Sequence, residues 1–139
     1  MNFSALFTTH RATIIQFLKF GTVGALGFVL DRSLYFFGRD ALGCGAYGSA
    51  YFSFPFVVAF TWIGNRLFTF RGQSTGSIHE QAMKFFAVCA VGLVLNRGTF
   101  SALTYMLPLV RDYPTLGLLA GTGAGMFFNF FLSRRLVFR

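Results

Sequence analysis

Acidic residues are nearly missing from this chain: Asp and Glu together number 4 in 139 residues, against 12 Lys and Arg. Charged residues of any kind reach only 12%, too few to cover a water-soluble domain of this size. Catalytic signatures are missing too. There is no GxxxxGK[ST] phosphate loop, no HExxH and no Cys/His spacing suited to a metal, so ATP hydrolysis and metal chemistry have no support and no cofactor is expected. Cys44 and Cys89 fall too far apart in the layout below for an internal disulfide. His10 and His79 are isolated and take no role. No cleavable signal peptide stands out, because the first apolar run is full length, carries Lys19, Asp31 and Arg32, and lacks a small-residue cleavage site after it. It is expected to remain as a span.

What fills the chain is apolar: 55% hydrophobic residues, with 21 Phe. Four segments, Ile14 to Phe37, Gly48 to Phe70, Ala82 to Leu107 and Thr115 to Phe131, approach or exceed the ~17 to 25 residues that cross a bilayer. Continuous apolar runs without strict alternation favour helices over a barrel. The predicted class is an all-α membrane protein with four transmembrane helices. If the spans alternate, Arg11, Lys19, Arg66, Arg71, Lys84, Arg134, Arg135 and Arg139 share one side with Glu80. Arg32, Arg39, Arg97 and Arg111 share the other with Asp31, Asp40 and Asp112. The excess of cations on the first side predicts that both termini are cytoplasmic. A net charge of +8 suits anionic lipid headgroups. With no soluble basic face to mount it on, nucleic acid is not an expected partner.

The chain reads as one hairpin written twice. QFLKFGTVGALGFVLDR (Gln16 to Arg32) and QAMKFFAVCAVGLVLNR (Gln81 to Arg97) match in type at most positions, and NRLFTFR (Asn65 to Arg71) lines up with SRRLVFR (Ser133 to Arg139). The repeats cover about 14–71 and about 79–139 of a single domain spanning 1–139. Each holds an even number of spans, so the copies share one orientation, with an axis along the membrane normal and a pseudo-symmetric four-helix bundle as the expectation. The cytoplasmic linker RGQSTGSIHEQ and the outer connections DALGCGAYG and PLVRDYP are rich in turn formers. Gly117, Gly121 and Gly125 form a double small-xxx-small pattern, and Gly21, Gly24, Ala25 and Gly27 thin one side of the first helix. Such residues let membrane helices approach closely, within a subunit or between subunits. Pro55 is expected to kink the second helix.

Two sets of polar residues interrupt this pattern. Asp31 lies about 18 Å along a helix from Lys19, and Asn96 the same distance from Lys84, which puts Asp31-Arg32 and Asn96-Arg97 past the midplane toward the outer leaflet. The arginines can snorkel to outer headgroups. The shorter Asp31 cannot, so it must be neutralised by an arginine or protonated. Gly24, Gly27 or Phe28, and Asp31 share one helical face, as do Cys89, Gly92 and Asn96. An inward polar patch with two arginines is an anion site, and a guanidinium fork matches phosphate. The second set is a cytoplasmic rim of Lys19, Asn65, Arg66, Lys84, Arg134 and Arg135, with Asn129 a turn deeper. It either sets topology alone or forms a phosphate-binding entrance. Tyr35, Phe36, Phe37, Tyr47, Tyr51, Tyr105 and Tyr113 form an interfacial belt, or in part stack on a sugar.

The residues KFGTVGALGFVLDR and KFFAVCAVGLVLNR, NRLFTF at the end of the second span, and NFFLSRRLVF at the end of the chain together resemble the GtrA-like family of small four-helix bacterial membrane proteins. The resemblance runs from about Gln16 to Arg139. Where the family often carries Trp, this chain has Phe68 and Leu136. The resemblance implies a non-enzymatic flippase for a polyprenyl-phosphate-linked sugar, such as undecaprenyl-phosphate glucose, in the bacterial cytoplasmic (inner) membrane. The lipid would serve O-antigen, teichoic acid or related cell-envelope polysaccharide biosynthesis. It also implies a membrane glycosyltransferase partner that loads the lipid. On that view the rim collects the lipid phosphate and Asp31, Arg32, Asn96 and Arg97 carry it outward. Four helices enclose little space, so a groove open to lipid or one formed between subunits of a homo-oligomer is expected rather than a sealed channel. Two other readings fit the residues: a non-transporting adaptor that recruits or stabilises the glycosyltransferase, and a proton-coupled exporter of amphiphiles with Asp31 as proton carrier. Arg32→Ala and Arg97→Ala are expected to lower transfer of a polyprenyl-phosphate sugar in liposomes without lowering membrane abundance. Normal transfer by both variants would leave these arginines as snorkelling anchors.

Overall fold

The computed structural model describes residues 3–73 and 76–138, with side chains for 11–73 and 76–138; Arg139 and the His10 side chain fall outside these ranges. The chain divides into two compact units, Met1–Ser74 and Thr75–Arg139. Among the described residues, four helical segments are long and apolar enough to cross a membrane: Arg11–Asp40, Ala46–Thr69, Ile78–Met106 and Pro114–Val137. Among the described residues there is no strand.

The first unit is a hairpin of α1 (Phe3–Asp40) and α2 (Ala46–Gly64), and α2 runs on into a π-helical turn at Asn65–Thr69. At 38 residues, α1 is about 57 Å long, well beyond a hydrocarbon core of about 30 Å. It starts earlier than the apolar pattern suggests, because the mixed stretch before Ile14 contains neither Gly nor Pro to stop a helix. Its C-terminal end unwinds at Gly43, whose φ of +67° only glycine adopts without strain. α2 continues through Pro55 to Gly64. The second unit pairs α3 (Ile78–Met106) with α5 (Pro114–Leu132), which also ends in a π-helical turn, Ser133–Val137. Ser77 caps α3, its hydroxyl accepting from the Glu80 N–H at 3.1 Å, and Ser77-x-x-Glu80 is a capping-box pairing. The outer connection, expected as a loop, instead contains a short helix α4 (Pro108–Asp112). Pro108 opens α4 and Pro114 opens α5, because the proline ring suits the first helical turn and drives the residue before it out of helical conformation.

The two units repeat one set of internal contacts. In the first, Phe70 follows the π turn, is fully buried, and meets Phe20 edge to face at 6.3 Å. Phe138 does the same in the second with Phe85 at 6.1 Å. Such aromatic pairs add about 0.5–1.5 kcal/mol beyond burial. Both π turns close by the same bond, Phe70 N–H to Asn65 C=O at 2.8 Å and Phe138 N–H to Ser133 C=O at 2.9 Å. Further along, a Cβ on Gly27 would strike Thr61 of α2. Its counterpart Gly92 sits against the Asn129 amide of α5.

The glycines of the fourth span face α3 within their own unit. A Cβ on Gly121 would lie 2.6 Å from the Asn96 carbonyl, and one on Gly125 would lie 3.0 Å from the Gly92 carbonyl. Gly117 meets Val110 and Phe100. Close backbone approach of this kind is what small residues supply where lipid removes the hydrophobic drive. The thinned side of α1 is narrower than its sequence pattern, since Gly27 packs on α2 but a Cβ on Gly24 would meet nothing within 4 Å. Large apolar side chains such as Leu18, Val94 and Leu119 are more than half exposed, a surface that lipid accepts and water does not. Gly121→Ala is expected to cost about 1–3 kcal/mol by forcing α3 and α5 apart. Gly24→Ala should stay within about 0.5 kcal/mol, and thermal unfolding of both variants in detergent separates the two cases.

Candidate functional site

Asp31 sits where α1 faces α2. One carboxylate oxygen accepts from the Ser53 hydroxyl at 2.6 Å, and the other accepts from Arg32 at 2.7 Å. Ser53 is buried, whereas the Asp31 and Arg32 side chains keep 27% and 47% of their surface exposed. The Arg32 guanidinium also lies over the rings of Tyr35, at 5.0 Å, and Phe28, at 5.7 Å. An arginine held by a carboxylate and two rings is oriented, with part of its fork still open to an anion. Of the residues expected on the inward face of α1, Gly27 and Asp31 meet α2. Phe28 is 63% exposed, and a Cβ on Gly24 would meet nothing within 4 Å. Within this hairpin, the face that α1 turns to α2 is therefore about one residue wide per turn.

The corresponding level of the second unit is built differently. Asn96 packs its backbone and side chain on Gly121 and Gly125. Arg97 is exposed and makes no ion pair among the described residues. When NRLFTFR is laid on SRRLVFR, Ser53 takes the place of Gly121. The acid thus faces a hydroxyl in one hairpin, and the amide faces bare backbone in the other.

The rim residues separate into distinct surroundings. Asn65 is interior, 1% exposed, and accepts from the Thr69 hydroxyl at 2.8 Å across the π turn. Asn129 lies against Gly92, with its side-chain oxygen buried and without a hydrogen-bond partner. Lys19 stands over the Phe68 ring at 4.9 Å and Arg66 over the Trp62 ring at 5.9 Å. Arg134 is half-buried. Lys84 and Arg135, by contrast, line one open groove of about 710 Å³ between α3 and the C-terminal π turn. Val88, Val91, Leu132 and Leu136 make its apolar wall, and Glu80 and Gln81 complete its polar end. Lys84 pairs with Glu80 at 2.5 Å, while Arg135 has no carboxylate partner among the described residues. Gln81 is buried and donates to the Val137 carbonyl at 3.3 Å, which fixes the floor. The first unit has Leu67 where Arg135 stands, so this pair of cations has no counterpart there.

A groove with cations at one end and aliphatic walls along its length accepts an amphiphilic anion. The family model described as GtrA/DPMS, transmembrane domain, matches residues 19–138. The chain belongs to the GtrA/DPMS transmembrane-domain family. The comparison with curated proteins returns no match. Membership makes the chain a multi-pass membrane protein and suggests a place in polyprenyl-phosphate sugar metabolism. GtrA-like proteins are generally non-catalytic. Among the described residues, no group of His, Cys, Asp or Glu is placed to hold a metal, and both cysteines are free thiols.

Sequence reasoning missed Ser53, Glu80 and Gln81. The signal for Ser53 was the exchange of Ser for Gly opposite the exchange of Asp for Asn between the two hairpins. The signal for Glu80 was its spacing from Ser77 on one side and Lys84 on the other. Asp31→Ala should destabilise the protein by about 0.5–1.5 kcal/mol, since it removes the shorter of two bonds of the buried Ser53 hydroxyl and leaves it the Ala50 carbonyl at 3.2 Å. Asp31→Asn should recover most of that loss through its carbonyl oxygen, and detergent unfolding of the pair checks the order.

Proposed function

We propose that this protein translocates a polyprenyl-phosphate-linked sugar, such as undecaprenyl-phosphate glucose, from the inner to the outer leaflet of the bacterial cytoplasmic membrane. Both termini are cytoplasmic in this reading. It operates as a homo-oligomer beside the membrane glycosyltransferase that loads the lipid, and the sugar goes to cell-envelope polysaccharide. The observation that carries the reading is the α3 groove, where Lys84 and Arg135 meet an aliphatic wall. The phosphate sits between the two cations by charge-assisted hydrogen bonds, the first isoprene units lie on Val88 and Val91, and the rest of the tail stays in lipid. Arg97 lies about 20 Å further along the same helix and offers the phosphate its next cation. Asp31 and Arg32 form the matching station on their own hairpin, with Arg32 exchanging the carboxylate for the passing phosphate.

The test is leaflet exchange of a polyprenyl-phosphate sugar in liposomes that contain this protein alone. Wild type should exceed empty vesicles, and the Lys84→Ala/Arg135→Ala double variant should lose about tenfold or more, at unchanged membrane abundance. Transfer equal to empty vesicles, with the glycosyltransferase still bound, would make the protein an adaptor instead.

A further inference from the structure

The α3 groove contains an acid that a simple phosphate trap would do better without. Glu80 lines it beside Lys84 and Arg135 and holds Lys84 in an ion pair. Counting formal charges, the polar end carries one net positive charge rather than two. Resting on the lipid-phosphate reading above, we infer that Glu80 sets the charge of the headgroup this groove accepts. It selects a lipid with one phosphodiester charge over one with a pyrophosphodiester.

Charge matching at the edge of the apolar wall sets this preference. A monoanion brings the polar end to neutrality. A dianion leaves one charge uncompensated next to Val88 and Leu136, where poor solvation makes such a charge costly. The Glu80–Lys84 bridge is half exposed, at 57% and 50% of the two side chains, so holding it closed is worth little and an incoming phosphate can displace it. Glu80 also sits in the first turn of α3, and its backbone N–H is already satisfied by Ser77. That bond uses the Glu80 backbone alone, so a change of its side chain leaves it in place. Glutamine at this position preserves the capping-box pattern, which makes Glu80→Gln a substitution that removes charge and leaves the helix start intact.

The repulsion between Glu80 and a ligand scales with the ligand's charge. Removing it raises the affinity of a dianion by about the square of the factor for a monoanion. The experiment measures binding of two synthetic lipids to the full-length protein in nanodiscs: a prenyl phosphodiester of glucose and the matching prenyl pyrophosphodiester. Wild type should bind the phosphodiester more tightly. In Glu80→Gln the phosphodiester should gain about threefold and the pyrophosphodiester about tenfold, narrowing the preference about threefold. A ratio unchanged by Glu80→Gln, or a wild type that favours the pyrophosphodiester, overturns the role of Glu80 while leaving the groove a lipid site. If wild type binds neither lipid, the lipid-phosphate reading falls and takes this inference with it. A water-soluble glucose phosphodiester without the prenyl tail should bind at least about tenfold more weakly. Equal binding would make this a site for soluble phosphodiesters and overturn the lipid assignment.

Discussion

Close backbone approach between the two helices of each hairpin is the constraint on which everything else rests. Lipid supplies no hydrophobic reason for helices to associate, so packing must come from small residues that let backbones meet. In the second unit Gly92, Gly121 and Gly125 provide that contact. In the first, Gly38 lies against the Ser49 backbone and Gly27 takes the Thr61 side chain, with the Asp31–Ser53 hydrogen bond between these levels. Because the helices lie this close, the terminal phenylalanines Phe70 and Phe138 can tuck under Phe20 and Phe85. That tuck, together with the π turn before it, places Arg135 beside Lys84 across the groove.

The π turns link fold to site. An α-helix ended at Asn65 or Ser133 would leave its last carbonyls without partners. The wider turn closes one by an i to i+5 bond, and in the second unit the Gln81 side chain closes another at Val137. π-helical turns often mark functional positions, since they displace side chains from the regular helical faces. Here the second one carries Arg134 and Arg135. The first carries Arg66 and Leu67, and its neighbourhood is filled by the contact of Lys19 with Phe68.

The two hairpins share a frame, each ending in a π turn and a buried phenylalanine, and differ in their polar residues. The first has an Asp–Arg pair and fills its other end with an aromatic ring. The second replaces the acid with Asn96 and opens a basic groove at the end near Lys84. A carboxylate within the apolar span is tolerated because Ser53 and Arg32 both serve it, and a charge with neither would be costly there.

Much of this was legible in the chain itself. Helical class, four spans, the duplicated motif and the importance of small residues follow from hydropathy and spacing, because lipid solvates only apolar side chains and forces backbone groups to bond internally. Lys84 and Arg135 were visible as polar residues near span ends, but so were Lys19, Asn65 and Arg66, and nothing in one dimension separated them. Only the tertiary structure buried Asn65 inside a π turn, laid Lys19 on Phe68, and brought Lys84, Arg135 and Glu80 to one groove. The reason is rotational: a single extra residue in the last turn changes which side chains face the partner helix. Hydrophobic pattern sets where a helix runs, and helix-to-helix contact decides which of its polar residues share a site.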